Sequence, residues 1–256
     1  MRQIIIGNWK MNGSPALVDE MARAIYACAA SLPCDLVLCP PATLIAPLAQ
    51  ALPGIAIGGQ DCHEREAGAH TGDIAAGMLR AAGASHVILG HSERRADHGE
   101  SDAMVRAKIG AARAAGLTPI VCVGEDEAAR RAGDAEAVVI RQLTASLPED
   151  FAANGLGMVA YEPIWAIGSG RIPSATEIAA MHGAIRAALR ARFGEAGAAI
   201  AILYGGSVKP GNAAAVLALP EVGGALVGGA SLVPADFLAI AGAATAEALG
   251  RTAVAG

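Results

Sequence analysis

Short apolar runs alternate with longer alanine-rich segments along the whole chain. The runs recur about every 30 residues, the length of one strand–helix unit. Because they are apolar throughout instead of alternating with polar residues, they predict strands of a parallel sheet covered by helices. The eight runs are IIIGNW, DLVLCP, IAIGGQ, HVILGH, TPIVCVG, GMVAYEP, AILYGG and GALVGG.

The alanine-rich segments carry apolar residues at helical spacing. One segment has such a stripe at Ile178, Met181, Ile185 and Leu189. We expect Arg186, Arg190 and Arg192 to lie off this face. Ser174 and Glu177 form the S-x-x-E pattern of a capping box, which predicts the start of this helix.

Eight strand–helix units in about 250 residues are typical of a (β/α)8 barrel, an α/β fold, and we predict that residues 1–256 form one such domain. The alternative is a doubly wound open sheet, which usually has a glycine fingerprint after its first strand. Here the first strand ends in GNWKMNG, without G-x-G-x-x-G. The barrel is therefore the favoured fold.

A second feature is the uncharged stretch from Leu36 to Gln60, which is long enough to suggest a membrane span. Four prolines interrupt it, so we predict strand, helix and strand there instead. The N-terminal apolar run is too short for a signal peptide. We expect no membrane association and a cytoplasmic location.

Charge and cysteine content bear on the binding partners and on the state of the thiols. The net charge is −5, without a block of like charges, which argues against nucleic acid or anionic lipid as a partner. Five cysteines without a C-x-x-C pair predict reduced, buried thiols, and Cys122 is interpreted as a packing residue.

In a (β/α)8 barrel the chemistry lies at the carboxyl ends of the strands. Those positions hold Asn8 and Lys10 after the first run, His91 and Glu93 after the fourth, and Glu162 after the sixth. Together they supply a base, an imidazole and a cation. This combination predicts an active site.

Lys10 is singled out by composition. The chain has only three lysines among 19 Lys and Arg residues, so a lysine beside the predicted barrel mouth suggests a need for an ammonium group. His91 precedes SERR, a predicted helical start, where the helix dipole disfavours imidazolium. We expect a neutral ring that donates a hydrogen bond. The spacing of His91, Glu93 and His98 matches no metal motif, and we expect no metal.

Glycine-rich turns follow the last two runs, in YGGSVKPG and LVGGAS. Loops at these positions of a barrel often bind phosphate through backbone N–H groups. Ser207, Gly228 and Gly229 are therefore candidates for binding a phosphate group.

Seven motifs, in order NWKMN, GAHTGD, GHSERR, CVGE, AYEPIWAIGSG, YGGSVKP and VGGASL, make the chain resemble the triosephosphate isomerase family over its whole length. The resemblance implies interconversion of dihydroxyacetone phosphate and D-glyceraldehyde 3-phosphate through an enediol(ate), without a cofactor. Glu162 would be the base, His91 the electrophile and Lys10 the oxyanion-stabilising cation. Asn8 would help to position the oxygens, and Glu93 would act on Lys10.

The same resemblance implies that Gly168 joins Ser207, Gly228 and Gly229 in binding the phosphate, and that a lid closes over Glu162. Ile167 would cover the carboxylate, expel water and raise its basicity. The lid comprises Pro163, Ile164, Trp165, Ala166, Ile167, Gly168, Ser169, Gly170, Arg171, Ile172 and Pro173.

Family resemblance also implies a homodimer in which Thr71 reaches towards the neighbouring site. The chain departs from the common family pattern at four positions: Asp61, His70, Ser169 and Arg171. An isomerase of a four-carbon ketose phosphate is the principal alternative, because it would share the base, the imidazole and the phosphate turns. A Schiff-base aldolase using Lys10 and a non-catalytic phosphosugar-binding barrel are weaker alternatives.

Overall fold

The computed structural model describes residues 2–153, 155, 157–167 and 171–245. Within them, eight parallel strands close into a barrel in chain order. Closure occurs where Ile5 pairs with Leu36 on one side and with Ala225 on the other. The strands are β1 (Ile4–Asn8), β2 (Asp35–Cys39), β3 (Ala56–Gly59), β4 (His86–Leu89), β5 (Thr118–Val123), β6 (Met158–Tyr161), β7 (Ala201–Tyr204) and β8 (Gly224–Val227). The predicted fold class and all eight predicted strands are confirmed.

Helices surround this barrel and follow the strands. They are α1 (Pro15–Tyr26), α2 (Ala42–Ala51), α3 (Ala76–Ala81), α4 (Ser92–His98), α5 (Asp102–Ala114), α6 (Glu127–Ala132), α7 (Ala135–Ser146), α8 (Ala175–Ala198), α9 (Pro210–Leu217) and α10 (Pro234–Gly242). Short 3-10 helices occupy Ala29–Ser31, Ile164–Ala166 and Gly229–Leu232.

Helix α8 confirms the predicted stripe and start. Its four stripe residues are buried, and the capping box is formed between Ser174 and Glu177. The placement of Arg186 off the buried face is wrong, since Arg186 is buried as well. Its Nε donates to Glu221 Oε2 at 2.8 Å and Nη1 donates to the Gly197 carbonyl at 2.7 Å. These two hydrogen bonds offset the cost of burying the guanidinium, although the buried Nη2 has no hydrogen-bond partner among the described residues.

Side chains of the strands fill the interior of the barrel. The inner cluster is formed by Ile6, Val37, Cys39, Ile88, Ile120, Cys122, Met158, Ala160, Ala201, Leu203 and Leu226. Cys122 packs in this cluster, as predicted, but its thiol also contacts the Glu162 carboxylate; burial and that carboxylate raise the pKa of the thiol well above its usual range. Four of the five free cysteines are buried, but Cys28 is partly exposed, which corrects the expectation for that residue.

The uncharged stretch from Leu36 to Gln60 forms β2, α2 and β3, as predicted. Among the described residues, no helix combines the length and apolar character that crossing a membrane requires.

His182 on α8 is a buried imidazole whose burial affects stability. The ring is fully enclosed, and Nδ1 donates to the Glu221 carbonyl at 3.1 Å. Burial lowers the pKa of His182 to about 4, against the smaller raising effect of the hydrogen bond to Glu221. An unfolded chain binds a proton near pH 6.5, whereas the folded chain does not until about pH 4. Stability contributed by the neutral ring is therefore present above pH 6.5 and lost as the pH falls through this window.

We expect His182→Gln to reduce the loss of unfolding free energy on acidification. The wild-type contribution from this ring amounts to about 1.4 kcal/mol per pH unit. Between pH 6.5 and 5 the variant should lose about 2 kcal/mol less than the wild type. Urea titration at fixed protein concentration measures this difference. The same substitution at the exposed His98 is the control, and equal effects at both positions would contradict the assignment.

Candidate active site

One cavity of about 430 Å³ opens at the carboxyl ends of the strands. Its walls include all five side chains predicted for the chemistry and the three described residues predicted for phosphate. The lining residues are Asn8, Lys10, His91, Glu93, Glu162, Ile167, Gly205, Gly206, Ser207, Val208, Lys209, Leu226, Gly228, Gly229 and Ala230. The barrel thus brings together residues that are more than two hundred positions apart in the chain.

Glu162 follows β6 directly and is only 2% exposed. Its backbone N–H donates to the Val123 carbonyl at 2.8 Å, which continues the pairing with β5. Its carboxylate accepts the Ser92 N–H at 2.9 Å on Oε2, and His91 Nε2 lies 3.0 Å from Oε1. A buried carboxylate is thus held at the floor of the cavity by a backbone donor and an imidazole.

His91 caps the N-terminus of α4. Its Nδ1 accepts the Glu93 N–H at 3.2 Å, so Nδ1 carries a lone pair. The remaining nitrogen, Nε2, then bears the proton and donates to Glu162. Accepting this N–H is incompatible with an imidazolium, so the cap selects the neutral tautomer.

Burial and the neighbouring charge have opposite effects on the pKa values of Glu162 and His91. Burial raises the pKa of Glu162, but His91 and the Ser92 N–H outweigh it and hold that pKa below its usual range. For His91, burial lowers the pKa, while the neighbouring Glu162 carboxylate raises it and prevails. The α4 dipole and the Nδ1 contact act against protonation of the ring. Glu162 is accordingly an anion. The Glu93 N–H on Nδ1 keeps the facing His91 ring in the Nε2–H form.

Lys10 lines the same cavity and has an unusual backbone conformation, with φ of 53°. The Asn8 side chain accepts the Lys10 N–H at 3.0 Å, and Gln60 donates to the Lys10 carbonyl at 2.8 Å. These bonds stabilise a conformation that non-glycine residues rarely adopt. The Lys10 ammonium then reaches Glu93 Oε1 at 2.5 Å.

The turns after β7 and β8 also line the cavity. Ser207 follows Gly205 and Gly206, while Gly228 and Gly229 begin a 3-10 helix. Backbone N–H groups at such a start are suited to binding an anion. Gly168, the fourth residue expected to bind phosphate, lies outside the described residues, as do Ser169 and Gly170.

Most of the predicted lid is described, on both sides of that gap. Trp165 is buried, and its Nε1 donates to Glu125 Oε1 at 2.7 Å, the same oxygen that accepts the Tyr161 hydroxyl at 3.1 Å. Arg171, on the distal side, donates to Glu127 at 2.7 Å. Ile167 lines the cavity. The N-terminal half of the segment is therefore anchored to the loop after β5.

Sequence reasoning missed three residues that the structure brings to this region. Ser92 donates to Glu162, Glu125 anchors Trp165, and Lys209 lines the cavity. Lys209 could have been found, because the rarity of lysine applies to it as it does to Lys10. Ser92 and Glu125 stand in the motifs GHSERR and CVGE, but their contacts depend on neighbouring strands.

Asp61, one of the departures, belongs to a buried charge cluster below the β3–α3 loop. Lys108 donates to both Asp61 oxygens at 2.8 Å and to Glu100 at 2.5 Å, and Arg94 lies 3.0 Å from Asp61. Two cations thus balance two carboxylates at this position.

His70, another departure, stacks on His63 with ring centroids 4.1 Å apart, and Asp73 lies close to both. His63 Nδ1 accepts the Arg65 N–H, so its proton is on Nε2, facing Asp73 Oδ2 at 3.6 Å. A metal-bound histidine uses its second nitrogen as a donor, which is the reverse arrangement. The two rings stack on each other and His63 Nε2 faces Asp73, so the contacts of His63 argue against a metal site at these three side chains.

The fold and the cavity define a class: a (β/α)8 enzyme whose cavity holds a buried carboxylate, an imidazole and an ammonium beside glycine-rich turns. Residues 3–244 match the family model described as triosephosphate isomerase. A triosephosphate isomerase of Acidiphilium cryptum is 59% identical, with 96% of this chain and all of the relative covered. A triosephosphate isomerase of Granulibacter bethesdensis is 57% identical, with 94% of this chain and 98% of the relative covered.

A crystal structure of triosephosphate isomerase from Bartonella henselae superimposes with a TM-score of 0.87 at 46% identity, covering 95% of this chain and 99% of that one. The chain belongs to the triosephosphate isomerase family and is an aldose–ketose isomerase. These comparisons support the triose interpretation over the four-carbon alternative.

Gly205 provides a test of how tightly Glu162 is held. A Cβ added at Gly205 would lie 2.9 Å from Glu162 Cγ and 3.0 Å from the Tyr161 carbonyl oxygen. We expect Gly205→Ala to displace the carboxylate and lower kcat by at least about tenfold. Steady-state kinetics on D-glyceraldehyde 3-phosphate measure this.

The matched control is Gly211→Ala in α9, where an added Cβ meets nothing within 4 Å. This variant should keep wild-type kinetics. A Gly205→Ala variant with unchanged kcat would mean that Glu162 tolerates displacement and that its observed position is not critical.

Proposed function

We propose that this chain interconverts dihydroxyacetone phosphate and D-glyceraldehyde 3-phosphate by moving a proton between adjacent carbons, without a cofactor. The observation that carries the proposal is the buried Glu162 carboxylate, 3.0 Å from His91 Nε2, in a cavity that Lys10 also lines. Glu162 takes the proton from the carbon next to the carbonyl and returns it to the neighbouring carbon. A positioned base of this kind contributes about 10²- to 10⁴-fold in rate.

His91 acts as the electrophile. Its Nε2–H, directed at Glu162 in the structure described above, turns to the substrate oxygens and donates to the one that gains charge. The Glu93 N–H on Nδ1 supports a neutral ring, whose pKa is closer to that of an enediol than an imidazolium's would be. Losing this donor strengthens Glu162 as a base, because His91 is one of the groups that lower the pKa of its carboxyl.

Lys10 stabilises the developing oxyanion and neutralises part of the phosphate charge. Glu93 orients its ammonium at 2.5 Å, and Asn8 helps to position the oxygens. A charged donor fixed in a largely enclosed cavity stabilises an anion without reorganising during the reaction.

The phosphate group binds at Ser207, Gly228, Gly229 and Gly168. Two observations support this assignment: Ser207, Gly228 and Gly229 line the same cavity, and a 3-10 helix, whose first N–H groups have no partner within the helix, begins at Gly229. Residues 163–173 act as a lid, with Ile167 closing over the carboxylate. Water exclusion protects the enediolate, which can otherwise eliminate its neighbouring phosphate, and desolvation raises the basicity of Glu162.

We further infer that residues 1–256 act as a single domain, that the enzyme is cytoplasmic and that two copies form a homodimer. Thr71 lies exposed in the loop between β3 and α3. Met11, next to the catalytic Lys10, is 95% exposed. A second subunit on this side of the barrel would cover the Met11 side chain. Thr71 of each copy would then reach towards Asn8 and Lys10 of the other.

The assignment of Glu162 as the base is tested with Glu162→Asp. Removing one methylene retracts the carboxylate by about 1 Å, and such a displacement costs about 100-fold in rate. Turnover of D-glyceraldehyde 3-phosphate, coupled to reduction of the ketose product, measures the loss. Glu136→Asp at an exposed position of α7 is the control and should leave kcat unchanged. If Glu162→Asp is as fast as the wild type, another group is the base.

The dimer is tested with Thr71→Arg. We expect the wild type to sediment at twice the chain mass of 25.5 kDa, and the variant to sediment as a monomer with at least about tenfold lower kcat, because a bulky cation would meet the neighbour's Lys10. Glu20→Arg, on the exposed face of α1, should remain dimeric and active. A wild-type species of 25.5 kDa would contradict the proposal.

A further inference from the structure

Arg95 connects the strand end that carries His91 to β5, the neighbour of the strand that carries Glu162, although it does not line the cavity. It lies on α4, four residues after His91, and its side chain is 14% exposed. Its Nε donates to the Gly90 carbonyl at 2.8 Å, and Nη2 donates to the Cys122 carbonyl at 3.4 Å. One guanidinium thus joins the end of β4 to β5.

The Gly90 contact fixes the backbone immediately before His91. Gly90 has φ of 66°, a left-handed conformation. A Cβ there would lie 2.8 Å from Val105 and 3.0 Å from Arg95 Nη2, so the turn is packed against this guanidinium. The direction in which the chain leaves this turn determines where the His91 ring lies.

The Cys122 contact reaches the other partner. Cys122 pairs in register with Ala160 of β6, two residues before Glu162. The next residue, Val123, accepts the Glu162 N–H at 2.8 Å. A shift of β5 relative to β4 would therefore change the separation of His91 from Glu162.

The guanidinium is itself held in place from outside the barrel. Nη1 donates to Asp102 Oδ1 at 2.7 Å, and Nη2 donates to Ser146 Oγ at 3.3 Å. Ser146 Oγ in turn donates to Asp102 at 3.1 Å. Asp102 belongs to α5 and Ser146 to α7, so both helices orient the guanidinium. A planar fork of donors is suited to joining four acceptors, whereas a lysine ammonium cannot reach them together.

We propose that Arg95 is a positioning residue for the isomerisation: by holding the Gly90 and Cys122 carbonyls it sets His91 against Glu162. The inference rests on the roles given above to His91 and Glu162. It predicts that loss of the fork reduces the chemical step and leaves substrate binding nearly intact, because the turns that bind phosphate lie after β7 and β8.

The test compares Arg95→Lys with Arg113→Lys in the coupled isomerase assay. Arg113 is a matched control, because its side chain is 15% exposed and pairs with Asp150 at 2.8 Å. Neither of these residues lines the cavity. We expect kcat of Arg95→Lys to fall about 10- to 100-fold with KM within about threefold, and Arg113→Lys to keep wild-type values.

A double-mutant cycle separates positioning from general stability. In a His91→Gln background, Arg95→Lys should lower kcat by less than about twofold, since a residue that acts through His91 loses its effect when the ring is absent. Equal effects of Arg95→Lys in both backgrounds, or an unchanged kcat for the single variant, would overturn the inference.

Three further outcomes keep the test decisive. If Arg95→Lys does not fold, Ser146→Ala takes its place, with an expected three- to tenfold loss of kcat; an unchanged kcat overturns the inference. If His91→Gln alone is as active as the wild type, the proposed role of His91 is wrong, and the inference falls with it. If His91→Gln is impaired but Arg95→Lys is not, only the positioning role is refuted.

Discussion

The site depends on one constraint, the burial of the Glu162 carboxylate. Moving an ionised carboxylate out of water costs several kcal/mol unless donors replace the lost hydration. Here the Ser92 N–H and His91 Nε2 supply them, both from the start of α4. Under the proposed function His91 turns its donor to the substrate oxygens, so the requirements of stability and of chemistry converge on one pair of residues, His91 and Glu162.

That pair exists only because the barrel closes. Asn8 and Lys10 end β1, His91 follows β4, and Glu162 follows β6. A parallel barrel directs all of its carboxyl ends to the same rim, so the cavity is the necessary meeting point of residues from distant parts of the chain. The contacts of Arg95 indicate that rim geometry is further fixed from outside the cavity, through backbone carbonyls instead of side chains.

Patterning predicted the fold in considerable detail. Apolar runs located all eight strands, and the stripe and capping box located α8, because burial of a strand or a helix face requires apolar residues at a definite period. Arg186 was the exception. Its buried position depends on acceptors contributed by Glu221 and the Gly197 carbonyl, and periodicity contains no information on such tertiary partners.

Strand-end position and residue chemistry together identified eight of the residues that line the cavity, from the sequence alone. Tertiary structure decided what those residues contact: that Ser92 donates to Glu162, that Glu125 holds Trp165, and that Arg95 spans β4 and β5. The physical reason is the separation along the chain of the groups that interact. Strand and helix preferences are set by neighbours along the chain, whereas a hydrogen bond within about 3 Å is set by how separate elements pack.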